Sequence, residues 1–297
     1  MSHTHTGAQA EQRLLWAMLL TGSFMLVEVA GGLISGSLAL LADAGHMLTD
    51  AAALAMGWLG ARLARRPADQ LRSYGYHRTQ VLAALLNGIG FIALVIWIVI
   101  EAWSRVREPV DILGGPMLAV AIAGLAINGI AFRMLHGEHQ HDINVRAAAL
   151  HVIGDLLGSV ATIAAAVVIL MTGWTPIDPL LSVFVALLIT VNAVRVVNQS
   201  VHILLEGTPP DVDVNLIRHE LIEEVSSVTD VHHVHVWSIT PERPVLTMHV
   251  TVATLENYSA TLHKIQACLA EHFGIEHATV QIEHEKCADD LMAKGKA

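Results

Sequence analysis

The chain has 297 residues, 54% of them hydrophobic and only 15% charged, with a mean hydropathy of +0.53. Soluble domains carry about 25% charged residues, so this composition argues against an ordinary soluble globule and for a membrane protein. A formal net charge of −10 leaves no basic patch to neutralise phosphates, which argues against a nucleic-acid partner.

In chain order, residues 1–13 read as a flexible N-terminal segment. Apolar runs follow at about Leu14–Ile34, Ala39–Leu63, Gln80–Trp103, Met117–Leu135, Ile143–Met171 and Pro179–Val197. Each is close to the roughly 20 apolar residues that a spanning helix needs. The first run is too long for a typical signal-peptide core and contains Glu28, so it is expected to be retained as a helix. Loops between the runs carry turn chemistry: Ser35-Gly36-Ser37, Gly114-Gly115-Pro116 and Thr175-Pro176. The expectation is a six-helix transmembrane domain over 14–205. Arginines set its orientation: Arg13, the group Arg62, Arg65, Arg66, Arg72 and Arg78, then Arg133, Arg146 and Arg195 share one side if the spans alternate. The other side holds Arg105 and Arg107, so both termini of this multi-pass protein are expected in the cytoplasm.

After Glu206-Gly207-Thr208-Pro209-Pro210 the pattern changes, and acidic residues outnumber basic ones. Val212–Val225 has helical spacing, Val231–Thr240 and Val245–Ala253 alternate like strands, Tyr258–Phe273 is an amphipathic helix, and His277–Glu285 alternates again. This order predicts a compact cytoplasmic α+β domain over 206–286 with a small antiparallel sheet, followed by a flexible tail at 287–297. Strict alternation would put His233 and His235 on one face of their strand and His232 on the other. The only cysteines, Cys268 and Cys287, form no Cys-x-x-Cys motif and read as reduced thiols, with Cys287 close enough to His284 to act as a metal ligand.

Two of the apolar runs carry the same polar insert, His46-x-x-x-Asp50 and His151-x-x-x-Asp155. Four residues is just over one helical turn, so each pair projects from one face of its helix. Ionisable groups at hydrocarbon depth are costly and mark pathways or sites. Brought together, the two imidazoles and two carboxylates supply the four ligands of a tetrahedral zinc site. Small residues on both helices (Ala42, Ala44, Gly45, Gly154, Gly158, Ser159) would let the backbones approach. Asp43, one turn before His46, reads either as a group orienting an imidazole or as a helix-entry residue. Glu28, Asn87 and Asn128 are read as interhelical hydrogen-bonding groups, not ligands. An imidazole must be unprotonated to bind metal, so such a site can exchange protons for metal. A zinc protease would need His-Glu-x-x-His in a span, and none contains it, so an enzyme is not expected.

The run Ser37-Leu38-Ala39-Leu40-Leu41-Ala42-Asp43-Ala44-Gly45-His46-Met47-Leu48-Thr49-Asp50, the stretch Tyr74-Gly75-Tyr76-His77-Arg78, and Ala149-Leu150-His151-Val152-Ile153-Gly154-Asp155 resemble the cation diffusion facilitator family of zinc–proton antiporters. The resemblance covers nearly the whole chain. It implies a homodimer in the lipid bilayer, a tail domain of ferredoxin-like, metallochaperone-like topology, and export of Zn2+ from the cytoplasm with protons as counter-ion. A His at the first position of the central site accompanies zinc preference in that family, so His46 favours zinc. A broad exporter of zinc, cadmium and cobalt and a membrane-anchored zinc sensor are the alternatives. In the loop after the second span the family's Asp/His/His pattern is reduced to Asp69, with Arg72 and Tyr76 at the other positions and His77 displaced by one, so no metal is expected there. His136, His139 and His141, in the short loop before the fifth span, read either as collectors of cytoplasmic metal or as a solvated loop. The resemblance matches His232, His249 and His263 to metal ligands of the tail, with Glu283, His284 and Glu285 as candidates at its end. It also matches Arg78 and Glu206 to a charge-paired hinge between membrane and tail domains.

Overall fold

The structure is a computed structural model that describes residues 3–135, 143–254, 256–284 and 287. The chain divides into two compact units, one of residues 1–56 with 86–197 and the other of residues 57–85 with 198–297.

The first unit is built from long helices: α1 (His3–Ser35), α2 (Leu38–Ala64), α3 (Arg78–Arg107), α4 (Gly114–Leu135), α5 (Ile143–Thr172) and α6 (Ile177–Leu204). Among the described residues five of them, α2 to α6, are long and apolar enough to cross a membrane, and α1 adds a shorter apolar stretch, Leu19–Ser35. The helix α1 reaches back to His3, through the segment expected to be flexible. Ala8, Gln9, Ala10, Glu11, Gln12 and Arg13 are strong helix formers and continue the run. The α1–α2 turn is made at Gly36, whose φ of 73° suits a residue without Cβ.

Helix α2 is held on two sides. Its Leu38 and Ala42 pack with Val95, Ile98 and Ala102 of α3 and Ala186 of α6. Its Ala39 and Leu40 pack with Met117 of α4 and Ala165, Ala166 and Ile169 of α5. The start of α2 has an unusual cap: Asp178, at the start of α6 and fully buried, accepts hydrogen bonds from Ser37 Oγ (2.5 Å), Leu38 N (2.7 Å) and Ala39 N (3.2 Å). These are the donors that a helix leaves unsatisfied at its first turn. Arg105 of α3 donates to the carbonyl of Gly36 and pairs with Glu101 at 2.9 Å, closing the same corner. Outward positions remain apolar, with Leu33 at 68%, Leu157 at 67% and Met171 at 81% exposure, as helices facing lipid require. Arg62 lies over Trp58 near the end of α2, and Arg107 over Trp103 near the end of α3, an arrangement suited to the membrane–water boundary.

The second unit contains α7 (Val214–Glu224), β1 (Val228–Ser238), β2 (Pro244–Val252), α8 (Tyr258–Phe273) and β3 (His277–Glu283). Asp213 caps α7 by accepting from Asn215 N at 2.8 Å, and Gly274, with φ 65°, ends α8. The α-β-β-α-β order is that of a ferredoxin-like unit without its first strand. The sheet order is β1-β2-β3, with β1–β2 antiparallel and β2–β3 parallel. The expected all-antiparallel sheet is therefore corrected to a mixed one. Helix α8 is a crossover that carries the chain back to the starting end of β2, and a strand added after such a crossover runs parallel. Ile217 and Leu221 of α7, Ile265 and Leu269 of α8, and Leu246, Met248 and Val250 of the sheet form one core. Both helices therefore cover one sheet face, and the residues alternating with this β2 row lie on the other.

Candidate metal centres

In the first unit, Asp155 of α5 is buried and His46 of α2 is half-buried, its ring 6.3 Å from that of Phe91 on α3. Asp50 and His151 are placed as helix positions on α2 and α5, and their side chains lie outside the described residues. Gly158, one turn beyond Asp155, brings α5 against α2: a Cβ there would stand 3.8 Å from Asp43 Oδ1. Of the other small residues, Gly45 accommodates Leu94 of α3, while nothing lies within 4 Å of a Cβ at Gly154. Glu28 of α1 is 1% exposed and lies within electrostatic range of both Asp43 and Asp155. Carboxyl groups from three helices thus gather in apolar surroundings, where each is neutralised by a proton or by compensating positive charge.

Interhelical hydrogen bonds do not serve every polar atom of Glu28 and Asn128. Glu28 Oε2 and Asn128 Oδ1 are buried with no hydrogen-bond partner among the described residues. A glutamate inside an apolar run was itself a signal, but its nearness to Asp43 and Asp155 comes from helix packing between sequence-distant segments.

In the second unit four potential ligands converge: His232, His249, Glu283 and Cys287, each offering an atom within 4.8 Å of the others. Antiparallel register pairs His232 with His249, so both rings stand on the sheet face away from the helices. Glu283 bridges them, Oε2 at 3.2 Å from His232 Nε2 and Oε1 at 3.2 Å from His249 Nδ1. Cys287 Sγ lies 3.6 Å from His249 Nδ1. Asp230 bonds His232 Nδ1 at 2.8 Å, which orients the ring so that Nε2 faces Glu283. Two imidazoles, a carboxylate and a thiol are donors that suit zinc.

The predicted alternation of the β1 histidines is overturned. The register slips between His232 and His235, and His233 takes a left-handed φ of 48°. This bulge brings the His233 ring to 5.4 Å from that of His232 and 5.1 Å from that of His249, and it sets His235 opposite Thr247 on the same face as His249. Two other expected ligands are not brought to the cluster. His263 is exposed on α8, the helix on the opposite face of the sheet. His284 is exposed, with Nε2 3.1 Å from the carbonyl of Ala253. Glu285, like His136, His139 and His141, lies outside the described residues. Cys287, weighed from sequence only for its nearness to His284, lies beside His249.

In the loop between α2 and α3, Asp69 and the residues at the family's two histidine positions bind one another. Tyr76 Oη donates to Asp69 Oδ2 at 2.8 Å, and Arg72 Nη1 donates to Tyr76 Oη at 3.2 Å. The Tyr76 hydroxyl, followed by the Arg72 backbone N–H, holds the Asp69 carboxyl below its ordinary range. Arg78 and Glu206 do meet, at 3.3 Å and well exposed, which limits their contribution to about 1 kcal/mol.

Residues 14–205 match the cation efflux transmembrane domain, and residues 209–285 match the cytoplasmic domain of cation efflux proteins. A zinc transporter ZitB of Pectobacterium atrosepticum is 48% identical over 97% of this chain and 90% of its own length. A cadmium, cobalt and zinc/H(+)-K(+) antiporter of Bacillus velezensis is 38% identical over 95% of this chain and 91% of its own. Among solved structures, the metal-bound C-terminal domain of the CzcD transporter from Cupriavidus metallidurans is 30% identical, covering 24% of this chain and 99% of that one, with a TM-score of 0.23. With its multi-pass helices and small-sheet domain, the chain belongs to the cation efflux family of membrane transporters.

Proposed function

We propose that this chain exports Zn2+ from the cytoplasm in exchange for protons, at an intramembrane site of His46, Asp50, His151 and Asp155. The observation that carries the reading is the meeting of α2 and α5 at Asp43 and Gly158, one turn from His46 and Asp155, among buried carboxyl groups. Asp43 places a further carboxyl group beside the ligands, which favours a dication over an anion or a neutral solute. Imidazole and carboxylate ligands bind either a proton or a metal, so loading from one side and protonation from the other would couple the two flows. The ZitB relative, named a zinc transporter, supports the cargo, and the Bacillus relative, named for H(+)-K(+) antiport, supports exchange against monovalent cations.

The spans α1 to α6 would place both termini and the C-terminal domain in the cytoplasm, by the arginine distribution. There the domain would join two copies and hold a further zinc ion at His232, His249, Glu283 and Cys287. Arg78 and Glu206 would act as a charge-paired hinge, and His136, His139 and His141 would collect metal at the entrance. The test is Zn2+ flux into proteoliposomes with an imposed pH gradient. Wild type should transport zinc in a gradient-dependent way and Asp155→Ala should not, whereas zinc flux indifferent to the gradient would remove the antiport step. A second reading, a broad divalent exporter, is favoured by the cadmium and cobalt in the Bacillus relative's name. Competition of Cd2+ and Co2+ against zinc flux decides between the two.

A further inference from the structure

A second donor cluster lies on the helix side of the C-terminal domain, across the sheet from His249. Two i,i+4 pairs face each other: Glu220 and Glu224 on α7, and Cys268 and His272 on α8. His272 Nδ1 is 2.8 Å from Glu220 Oε2 and 3.7 Å from Glu224 Oε1, and Glu224 lies within electrostatic range of the Cys268 thiol. Ligand atoms of Glu220, Cys268 and His272 all lie within 4.8 Å of one another.

We infer that Cys268, His272 and Glu220, with Glu224 as the fourth donor, form a second site for a thiophilic divalent cation such as Zn2+ or Cd2+, separate from the sheet-face cluster. One thiolate, one imidazole and carboxylate oxygens form a donor set that zinc takes. Bond lengths of about 2.0–2.3 Å in a tetrahedron separate neighbouring ligand atoms by roughly 3.3–3.5 Å. The His272–Glu220 contact would therefore open by about half an ångström, a movement within reach of side chains that are 38% and 28% exposed. The exposed rim formed by His272 and Glu224 gives an ion access, while Cys268 anchors the inner end in the core. Charge favours occupancy as well: a thiolate and two carboxylates around a dication leave a single net negative charge. Without metal, burial and then the neighbouring Glu224 push the Cys268 thiol up to about 12. The thiol is then protonated, and a bound dication displaces that proton to solvent. Metal here would tie the last turn of α8 to the second half of α7.

Because Cys268 and Cys287 are the only cysteines, the two clusters can be separated by thiolate spectroscopy on the full chain in detergent. In Cys287→Ser protein, titration with Co2+ should still produce sulfur-to-cobalt charge-transfer absorption, and Zn2+ should bleach it. Adding His272→Gln or Glu220→Gln to that background should weaken the Co2+ affinity of the band by about tenfold or more. These exposed positions leave the core intact, so the outcome does not depend on whether Cys268→Ser folds. A Cys287→Ser protein with no thiolate–cobalt absorption overturns the inference, as does a band of unchanged affinity in both His272→Gln and Glu220→Gln.

Discussion

Asp178 makes a sharp test of how helix α2 is positioned. Its carboxyl group reaches from the start of α6 to the N-terminus of α2, accepting from Leu38 N, Ala39 N and Ser37 Oγ in a fully buried setting. In Asp178→Ala the Ser37 hydroxyl can turn elsewhere, since it already accepts from Leu40 N at 3.2 Å. The two backbone N–H groups cannot. Each buried donor left unsatisfied costs about 1–3 kcal/mol, so the substitution should cost about 2–6 kcal/mol. Thermal unfolding of the purified protein in detergent, followed by tryptophan fluorescence, should show Tm lowered by on the order of 10 °C. Asp178→Asn keeps one carbonyl oxygen but turns an N–H group toward another donor, and should fall between wild type and alanine. Helix α2 also carries His46, so the loosened start should reduce zinc flux in proportion to the loss of stability. Asp178→Ala with a Tm within about 2 °C of wild type would refute the capping argument.

Glu28→Gln removes an exchangeable carboxyl proton near Asp43 and Asp155 and should shift the pH dependence of zinc flux; an unchanged pH profile in vesicle flux counts against a role for Glu28. His249→Ala and Cys287→Ser each remove a donor from the sheet-face cluster and should weaken one zinc per chain by at least about tenfold; equal stoichiometry and affinity by equilibrium dialysis would contradict the assignment. Glu220, then Glu224, raises the His272 pKa above its ordinary 6.5, so the stabilisation is fully present below about 6.5 and is lost as pH rises through the raised value. Denaturation of the metal-free protein should show the C-terminal domain weakening as pH rises above about 6.5, and His272→Gln should flatten that slope. Tyr76→Phe deletes the hydroxyl that links Asp69 to Arg72 and should speed proteolysis of the α2–α3 loop; identical digestion kinetics would argue that the network leaves the loop's order unchanged.

The amino-acid sequence by itself determined the apolar helices, the α-β-β-α-β order of the tail, and the two His-x-x-x-Asp inserts. These depend on local quantities: hydrophobic run length, period and turn chemistry. Set against the family's pattern, it also placed Arg72 and Tyr76 at the loop's two histidine positions, because that is a matter of residue type at a position. Tertiary structure decided what could not be local. The α8 crossover made β3 parallel to β2, and the bulge after His232 overturned the alternation that a regular strand would impose. Tertiary contacts set Cys287 rather than His284 beside His249. Packing of α1, α2 and α5 gathered Glu28, Asp43 and Asp155, and packing of α7 on α8 joined Glu220 to Cys268 and His272. Periodicity states which face of an element a residue occupies; which distant face it meets depends on how the elements pack.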